Sequence, residues 1–279
     1  MLHHIPNQKG FHGLFAVLLL AVFGIIGLAG WTIQADNIRP ASTTKNNQQS
    51  SEYINWGFDG NSWRATDTVP KCEEPLLISP PVDVTRVTSV LYPGQVRGGD
   101  FKPHGGLALD GAVNNGAIIY TVRDAFLYLG SRYIEDGELQ YMLDFIDPCG
   151  VRFRFDHLAT LTEEFRKYVE ELPGPLLDDS RTHLITSRPF FKVGTAVASE
   201  IGHKKNLNVG FDLGVYDLRQ RNAASKTLLY KTDSGRINDK EQSFYAVCWF
   251  DLLPDRERAI INSLPPRAGQ RENTSDYCN

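Results

Sequence analysis

The sequence predicts a mainly β domain, an antiparallel sheet packed as a sandwich with one or two short helices, preceded by an N-terminal transmembrane helix. Short apolar or alternating segments, the pattern of strands, recur at close spacing through residues 117–250. Only one longer segment, residues 160–172, has a clear helical period. An antiparallel sheet with one apolar face must cover that face with a second layer, which gives the sandwich.

The N-terminal apolar segment, residues 13–33, contains no charged side chain and is long enough as one helix to cross a hydrocarbon core of ~30 Å. Lys9 precedes it and Asp36 follows it, which favours a cytoplasmic N-terminus at residues 1–12 and an extracytoplasmic remainder. Gly27–Ala29 also fits a signal-peptidase site. The segment therefore predicts either a membrane anchor or, if it is cleaved, a secreted protein.

Residues 34–52 are rich in Asn, Gln, Ser and Thr, a composition typical of a flexible linker. Aromatic and aliphatic residues return from Tyr53 onward, and residues 53–279 are long enough for one well-buried domain. The net charge of -4 and the pI of about 6.0 give no basic surface of the kind that binds nucleic acid. Nucleic acid is therefore not expected as a partner.

All four cysteines follow the apolar segment, and their even number is compatible with two disulfides in an oxidising compartment. They are Cys72, Cys149, Cys248 and Cys278. Buried free thiols are the alternative, and three pairings are open. We expect the pair Cys248–Cys278, which would tie the polar C-terminal tail to a core strand.

Alternation and short apolar runs predict most of the strands. In Val151–Phe155 the alternation is strict and places Arg152 and Arg154 outward. The predicted strands are Ala117–Val122, Ala125–Leu129, Glu138–Ile146, Val151–Phe155, Phe190–Ala198, Val209–Leu218, Thr227–Lys231 and Phe244–Phe250.

The clear helix begins with a capping-box pattern, Thr160 followed by Glu163, and ends before Pro173. One apolar face runs along it, formed by Leu161, Phe165, Tyr168, Val169 and Leu172. Asp255–Leu264 is predicted as a second, short helix.

His104 and Asp110 are candidate metal ligands, because an even spacing on an extended strand turns both side chains to the same side. The alternative is that both belong to turns. His104 follows Pro103 and precedes two glycines, and Asp110 precedes Gly111.

Several short motifs, in order along residues 90–220, resemble the lysostaphin-type zinc endopeptidases, which are cell-wall peptidases with the duplicated hybrid motif β-fold. The resemblance implies this fold, a zinc ion held by His104 and Asp110, and a catalytic role for His157. The motifs are His104 to Asp110, Asn115-Gly116-Ala117-Ile118, Phe155-Asp156-His157-Leu158, Lys192-Val193-Gly194-Thr195-Ala196-Val197 and Glu200-Ile201-Gly202.

The chain departs from the family pattern in two places. His104 and Asp110 are six residues apart rather than four, and the late His-x-His motif, expected within residues 206–217, is absent. A third ligand would have to be Asp212 or His203. The alternatives are that Asp212 is the buried partner of an arginine such as Arg154 or Arg219, and that His203 is a solvated loop residue beside Lys204-Lys205.

Two functions follow from the resemblance. The first is a degenerate, membrane-anchored peptidase-like domain that binds cell-wall or envelope peptide or glycan, or an envelope protein, as a binding or scaffolding module. The alternative is an active zinc metalloendopeptidase that hydrolyses peptide bonds in a cell-wall or surface polymer with a zinc-bound water. The missing His-x-His favours the first.

Overall fold

The computed structural model describes residues 52–267 and 274–278. The predicted cytoplasmic segment at residues 1–12, the membrane segment at residues 13–33 and nearly all of the linker lie outside the described residues. Within the described part of the chain, no helix is both long enough and apolar enough to cross a membrane.

Fifteen strands are present in the described ranges, and short helices separate some of them. The strands are β1 (Trp56–Phe58), β2 (Trp63–Ala65), β3 (Ser89–Leu91), β4 (Gln95–Arg97), β5 (Asp100–Lys102), β6 (Gly105–Ala108), β7 (Gly116–Tyr120), β8 (Ala125–Glu135), β9 (Glu138–Ile146), β10 (Val151–Leu161), β11 (Leu176–Leu177), β12 (His183–Leu184), β13 (Phe190–Phe191), β14 (Ala196–Ile201) and β15 (Gly210–Asp217). The helices are α1 (Glu163–Val169), α2 (Leu229–Thr232), α3 (Ser234–Asn238), α4 (Lys240–Ser243) and α5 (Asp255–Asn262), with 3-10 turns at Val84–Arg86, Ala224–Lys226 and Trp249–Leu252.

Eleven of the strands form one sheet, whose main path is β11-β8-β9-β10-β15-β6-β3. Strands β12 and β13 also pair with β8, β14 pairs with β10, and β7 pairs with β14. The prediction of a mainly β domain with few helices is therefore confirmed. The sheet is mixed rather than purely antiparallel, because β11 runs parallel to β8.

The central strands β9, β10 and β15 have one apolar and one polar face, since successive side chains of a strand point to opposite sides. Phe145, Phe153 and Phe155 are fully buried on the apolar face, and the rings of Phe145 and Phe153 stack at 4.8 Å. The alternate positions carry polar side chains, among them Asp144 and Arg154, which are paired across β9 and β10. The candidate site lies on this polar face.

Arg152 and Arg154 do leave the core side of β10, but the prediction that they point outward is wrong. Arg152 is 2% exposed, and both guanidinium groups bind the carboxylate of Asp144, at 2.9 Å from Arg152 and 2.6 Å from Arg154. Burial would raise the pKa of Asp144, but the two guanidinium groups outweigh burial and lower it. A buried carboxylate requires such counter-charges, which explains why the arginines are covered.

The helix predictions are only partly confirmed. Thr160 belongs to β10, where its hydroxyl donates to the carboxylate of Glu200, so it does not cap the helix. Instead α1 begins after Thr162 and ends at Val169, before the predicted end at Leu172. The second helix is present as α5, Asp255–Asn262.

Two predicted strands near the C-terminus are wrong. Thr227–Lys231 overlaps α2, and Phe244–Phe250 contains a turn and the start of a 3-10 segment. Tertiary contacts outweigh β propensity in both. The ring of Tyr230 is buried against Phe244, and its hydroxyl donates to Asp276 at 3.0 Å.

Both disulfides are formed, Cys72–Cys149 and Cys248–Cys278. The predicted pair Cys248–Cys278 is thus confirmed, but it ties the C-terminal tail to the start of the 3-10 turn Trp249–Leu252 and not to a core strand. Two disulfides are compatible with an extracytoplasmic location.

Candidate functional site

A cleft of about 380 Å³ opens over the polar face of β8, β9, β10 and β15. The hairpin β4–β5 and the chain that enters β6 form its other wall, through Arg97, Lys102 and His104. The volume falls within the range of about 300–1,000 Å³ that is usual for ligand sites. The cleft contains four of the residues discussed from the sequence: His104, Arg154, His157 and Asp212.

Asp212 projects from β15 into the cleft and is the partner of His104. Nε2 of His104 lies 2.9 Å from Oδ2 of Asp212, and both side chains are largely covered. The register of β6 and β15 places Gly106 opposite Asp212, and a Cβ atom on Gly106 would lie 2.7 Å from Oδ1 of Asp212. The glycine therefore leaves the space that the carboxylate occupies.

Arg97 binds backbone carbonyl groups on the other side of the Asp212 carboxylate. Its guanidinium donates to the carbonyl oxygens of Tyr92 at 3.0 Å and His104 at 3.1 Å, and lies 3.9 Å from Oδ2 of Asp212. Burial lowers the pKa of Arg97. Burial would raise the pKa of Asp212, but His104, His157 and Arg97 hold it well below its usual range. Asp212 is therefore ionised, and its partners are not the arginines expected from the sequence.

His157 reaches the cleft because β10 is bulged. The register between β9 and β10 shifts between Phe155 and Leu158, and His157 adopts a left-handed φ of 59°. Such bulges redirect a side chain, and a non-glycine residue in this conformation is strained. The carboxylate of Asp156 accepts the backbone N–H of His157 at 2.8 Å and the hydroxyl of Tyr133 at 2.5 Å, which holds the bulge in place.

The environment of His157 favours its charged form. Burial would lower the pKa of the imidazole, but Asp156, Glu135 and Asp212 raise it to about 10. Nδ1 of His157 lies 3.2 Å from Oε2 of Glu135, and Nε2 lies 3.9 Å from Oδ2 of Asp212. The ring therefore lies between two carboxylates.

His203 is buried, at 6% exposure, and is not the solvated loop residue considered above. Its backbone pairs with Asn208, and the preceding Gly202, at a φ of 71°, donates its N–H to the carbonyl of His157 at 2.7 Å. This places the rings of His157 and His203 5.4 Å apart. Nε2 of His203 lies 3.8 Å from Oε2 of Glu135.

The ammonium groups of Lys204 and Lys205, which follow His203, are bound to other residues. The backbone N–H groups of Lys204 and Lys205 donate to the carboxylate of Glu138, each at 2.8 Å. The ammonium of Lys204 binds Glu200, and that of Lys205 binds the carbonyls of Asp136 and Gly137. Each ammonium is thus held by oxygen atoms and is not left free beside the imidazole.

Asp110 is not brought to His104. Its carboxylate accepts hydrogen bonds from the hydroxyls of Thr88 and Ser89, and Nε of Arg267 lies 3.5 Å from it. Because β6 between the two residues is extended, six residues can separate them by about 20 Å. The structure therefore places the expected ligand pair at opposite ends of β6, and the even spacing does not assemble a site.

Glu135, like Arg97 and Lys102, is a residue of the cleft that the sequence analysis missed. It is the last residue of β8, which the apolar pattern ended at Leu129. The alternation of Ser131, Tyr133 and Glu135 on one face was the available signal, since residues two apart share a face.

Glu135, His157 and His203 form a group that could hold a metal ion, since one ligand atom from each lies within 4.8 Å of the others. Two imidazoles and a carboxylate are ligands typical of zinc and related divalent ions. His104 and Asp212 lie beside this group. No protein-family model matches the chain, and a search of curated proteins found no match either.

Proposed function

We propose that residues 53–279 are an extracytoplasmic domain of lysostaphin-type peptidase fold, anchored through residues 13–33, whose cleft binds a peptide or glycan of the cell envelope. The observation that carries this proposal is the fixed, mixed charge of the cleft. Arg97 and Lys102 line it on the β4–β5 side, and Glu135 and Asp212 line it on the sheet. A groove with both signs of charge suits a ligand that carries both signs.

The fold and the location are supported by separate observations. The large, mainly antiparallel sheet and the motif order along residues 90–220 fit the resemblance. The two disulfides fit an extracytoplasmic domain. The uncharged segment at residues 13–33 supplies a membrane anchor.

Binding rather than family-type catalysis is supported by what surrounds Asp212. This carboxylate is engaged by His104 at 2.9 Å and faces Arg97 at 3.9 Å, while Asp110 is held by Thr88 and Ser89. His104, Asp110 and Asp212 thus do not converge on one point. The proposal therefore takes the fold and the groove from the resemblance and leaves out its metal ligands.

The ligand class follows from the wall of the cleft. The side chain of Lys102 is 37% exposed and makes only a loose contact, 3.7 Å, with Asp100. Its ammonium is available for an anionic group, and the carboxylate of Glu135, whose side chain is 40% exposed, is available for a cationic one. A short cell-wall peptide with a free carboxylate and a free amine meets both requirements.

The test is binding of synthetic cell-wall stem peptides, measured by isothermal titration calorimetry on the purified chain. We expect Lys102→Ala to weaken binding about fivefold, the value of one partly screened ion pair. Amidation of the peptide carboxylate should weaken binding to the wild type but not further to Lys102→Ala. The exposed Lys226 provides the control, Lys226→Ala. Binding that is insensitive to both changes would contradict the proposal.

A second candidate function is zinc-dependent peptide hydrolysis, favoured by the Glu135–His157–His203 group beside the cleft. It is tested with the same peptides by mass spectrometry after incubation with and without a chelator. Cleavage that the chelator abolishes would support hydrolysis. Binding without cleavage would support the binding module.

A further inference from the structure

We propose that Glu135, His157 and His203 bind one divalent transition-metal ion of the zinc type, with Asp212 as the positioning residue that orients His157. This ligand set differs from the His104 and Asp110 pair that the family resemblance implies. It does not rest on the peptide-binding proposal, and it assigns the ligands of the ion that the second candidate function, zinc-dependent hydrolysis, would require.

The distances within the group suit a small ion. Two ligand atoms bound tetrahedrally at about 2.0–2.1 Å from zinc lie about 3.3 Å apart. Nδ1 of His157 is 3.2 Å and Nε2 of His203 is 3.8 Å from Oε2 of Glu135. Both distances are close to that value, and the ligand atoms of the three residues all lie within 4.8 Å of one another, so the group can close around one ion by contracting. A tetrahedral ion held by these three ligands keeps a fourth position open.

Unsatisfied polar atoms are the second observation. Within the described ranges, Oε2 of Glu135, Nδ1 of His157 and Nδ1 of His203 are buried without a hydrogen-bond partner. In the metal-free protein Glu135 and His157 form an ion pair at 3.2 Å, so a bound metal ion would take the place of the proton on Nδ1 of His157. Buried polar atoms without partners are costly, typically about 1–3 kcal/mol each. A cation bound by Oε2 and Nδ1 satisfies the first two atoms directly.

His203 needs an explanation most, since it is 6% exposed and buried histidines are normally hydrogen-bonded. If Nε2 binds the ion, Nδ1 remains to donate to a second carboxylate. Oδ2 of Asp136 lies 4.0 Å from Nδ1, whereas Glu135 lies nearest Nε2. Metal-bound histidines commonly donate their other N–H to a carboxylate, and Asp136 is the carboxylate near enough to move into hydrogen-bond range.

His157 also has a carboxylate near the ring nitrogen that would not bind the ion. With Nδ1 turned to Glu135, Nε2 faces Oδ2 of Asp212 at 3.9 Å. His104 fixes that carboxylate from its other side at 2.9 Å. Asp212 thus has the position of an orienting carboxylate behind a ligand.

The strained backbone of His157 also fits this role. The bulge and the left-handed φ of 59° turn the ring toward Glu135 and His203, whereas a regular strand would point it to the opposite face from Asp156. Local strain of this kind persists where the surrounding structure enforces it. Here the N–H of Gly202 enforces it by binding the carbonyl of His157 at 2.7 Å.

The test measures zinc on the full chain, purified in detergent, stripped with a chelator, incubated with zinc and then dialysed. In every protein His3, His4 and His12 are replaced by Gln, so that zinc at the N-terminus does not count. We expect one zinc per chain by elemental analysis after dialysis. We also expect His203→Gln and Glu135→Gln each to weaken zinc affinity at least about 100-fold in calorimetric titration.

Asp212→Asn tests the positioning role. Because the variant keeps all three ligands, we expect one zinc per chain to be retained with an affinity about 10–100-fold lower. His183→Gln, at a histidine of β12 outside the group, is the matched control and should leave affinity unchanged. Circular dichroism of each metal-free variant shows that lost binding does not come from unfolding.

Two outcomes would overturn the proposal. One is the absence of bound zinc in the wild type. The other is zinc that both His203→Gln and Glu135→Gln retain while His104→Ala loses it, which would assign the ion to the family-type ligands.

The Co²⁺-loaded wild type gives an independent readout, since two nitrogen ligands and a carboxylate produce a ligand-field spectrum that His203→Gln must change. Because no peptide is present, failure here is distinct from failure of the peptide-binding proposal.

Discussion

Nε2 of His104 and Oδ2 of Asp212 lie 2.9 Å apart, joining the residue that precedes β6 to the third residue of β15. The same Oδ2 faces Nε2 of His157 at 3.9 Å. One carboxylate therefore connects two histidines that come from distant parts of the chain. Substitutions of Asp212 and of the residues around it therefore test what stabilises the polar face of the sheet.

Replacing Asp212 should destabilise the domain. In Asp212→Asn the cationic groups of Arg97 and His157 lose their shared counter-charge, and we expect the free energy of unfolding to fall by about 3 kcal/mol at neutral pH. Urea denaturation measures it. Asp178→Asn, at an exposed aspartate, should change stability by less than about 0.5 kcal/mol. Equal effects of the two substitutions would contradict the assigned role.

Gly106 should tolerate no side chain. A Cβ atom there would lie 2.7 Å from both Oδ1 of Asp212 and the carbonyl oxygen of Phe211, and the backbone oxygen cannot move easily. We expect Gly106→Ala to lower the free energy of unfolding by about 2 kcal/mol. Gly57, also in a strand, has open space at its Cβ position, so Gly57→Ala is the control and should be close to neutral. Thermal unfolding of the two variants gives the comparison.

The left-handed backbone at His157 predicts an unusual order of stability. Both His157→Ala and His157→Gly remove the imidazole, but only glycine adopts a φ of 59° without steric cost. We expect the glycine variant to be more stable than the alanine variant by about 1 kcal/mol. Urea denaturation of the two metal-free variants measures this difference in the free energy of unfolding. A more stable alanine variant would show that the bulge relaxes when the ring is removed.

The raised pKa of His157 predicts a loss of stability at alkaline pH. Burial alone would lower this pKa, but Asp156, Glu135 and Asp212 raise it to about 10, against about 6.5 in an unfolded chain. A pKa raised by folding stabilises the protein fully below pH 6.5, and that stabilisation disappears as the pH rises toward 10.

We therefore expect the free energy of unfolding, measured in urea with a chelator present, to decrease between about pH 6.5 and 10. The decrease should be smaller in His157→Gln, which has no proton to lose. Identical pH profiles for the wild type and the variant would contradict the assignment of the raised pKa to His157.

The two disulfides should contribute unequally. Cys72–Cys149 closes a loop with a sequence separation of 77, and Cys248–Cys278 one of 30. Loop-closure entropy gives about 4.5 kcal/mol for the first and about 3.6 kcal/mol for the second. The paired Cys→Ala variants, compared by urea denaturation, should follow this order. A larger loss on removing Cys248–Cys278 would show that this disulfide holds native contacts of the tail.

The sequence determined the features that depend on local pattern. Alternation predicted β9 with its observed bounds, Glu138–Ile146, and the even cysteine count was compatible with the two disulfides that form. Spacing singled out His104, and the family resemblance singled out His157 and Asp212, three residues that the fold brings to one cleft. Alternation and charge at an apolar position are local signals, so a single chain carries them.

Tertiary structure decided which of these residues meet. His104 and Asp110 flank β6 at its opposite ends, so their side chains do not meet. Glu135 at the end of β8 and His203 in the turn after β14 are distant from His157 in sequence, but the fold brings all three together. The bulge that redirects His157 depends on Asp156, Tyr133 and Gly202 at once. Spacing fixes only the side of a strand on which a residue lies. Pairing register, bulges and the approach of separate strands fix its partners, and these arise from contacts between segments far apart in the chain.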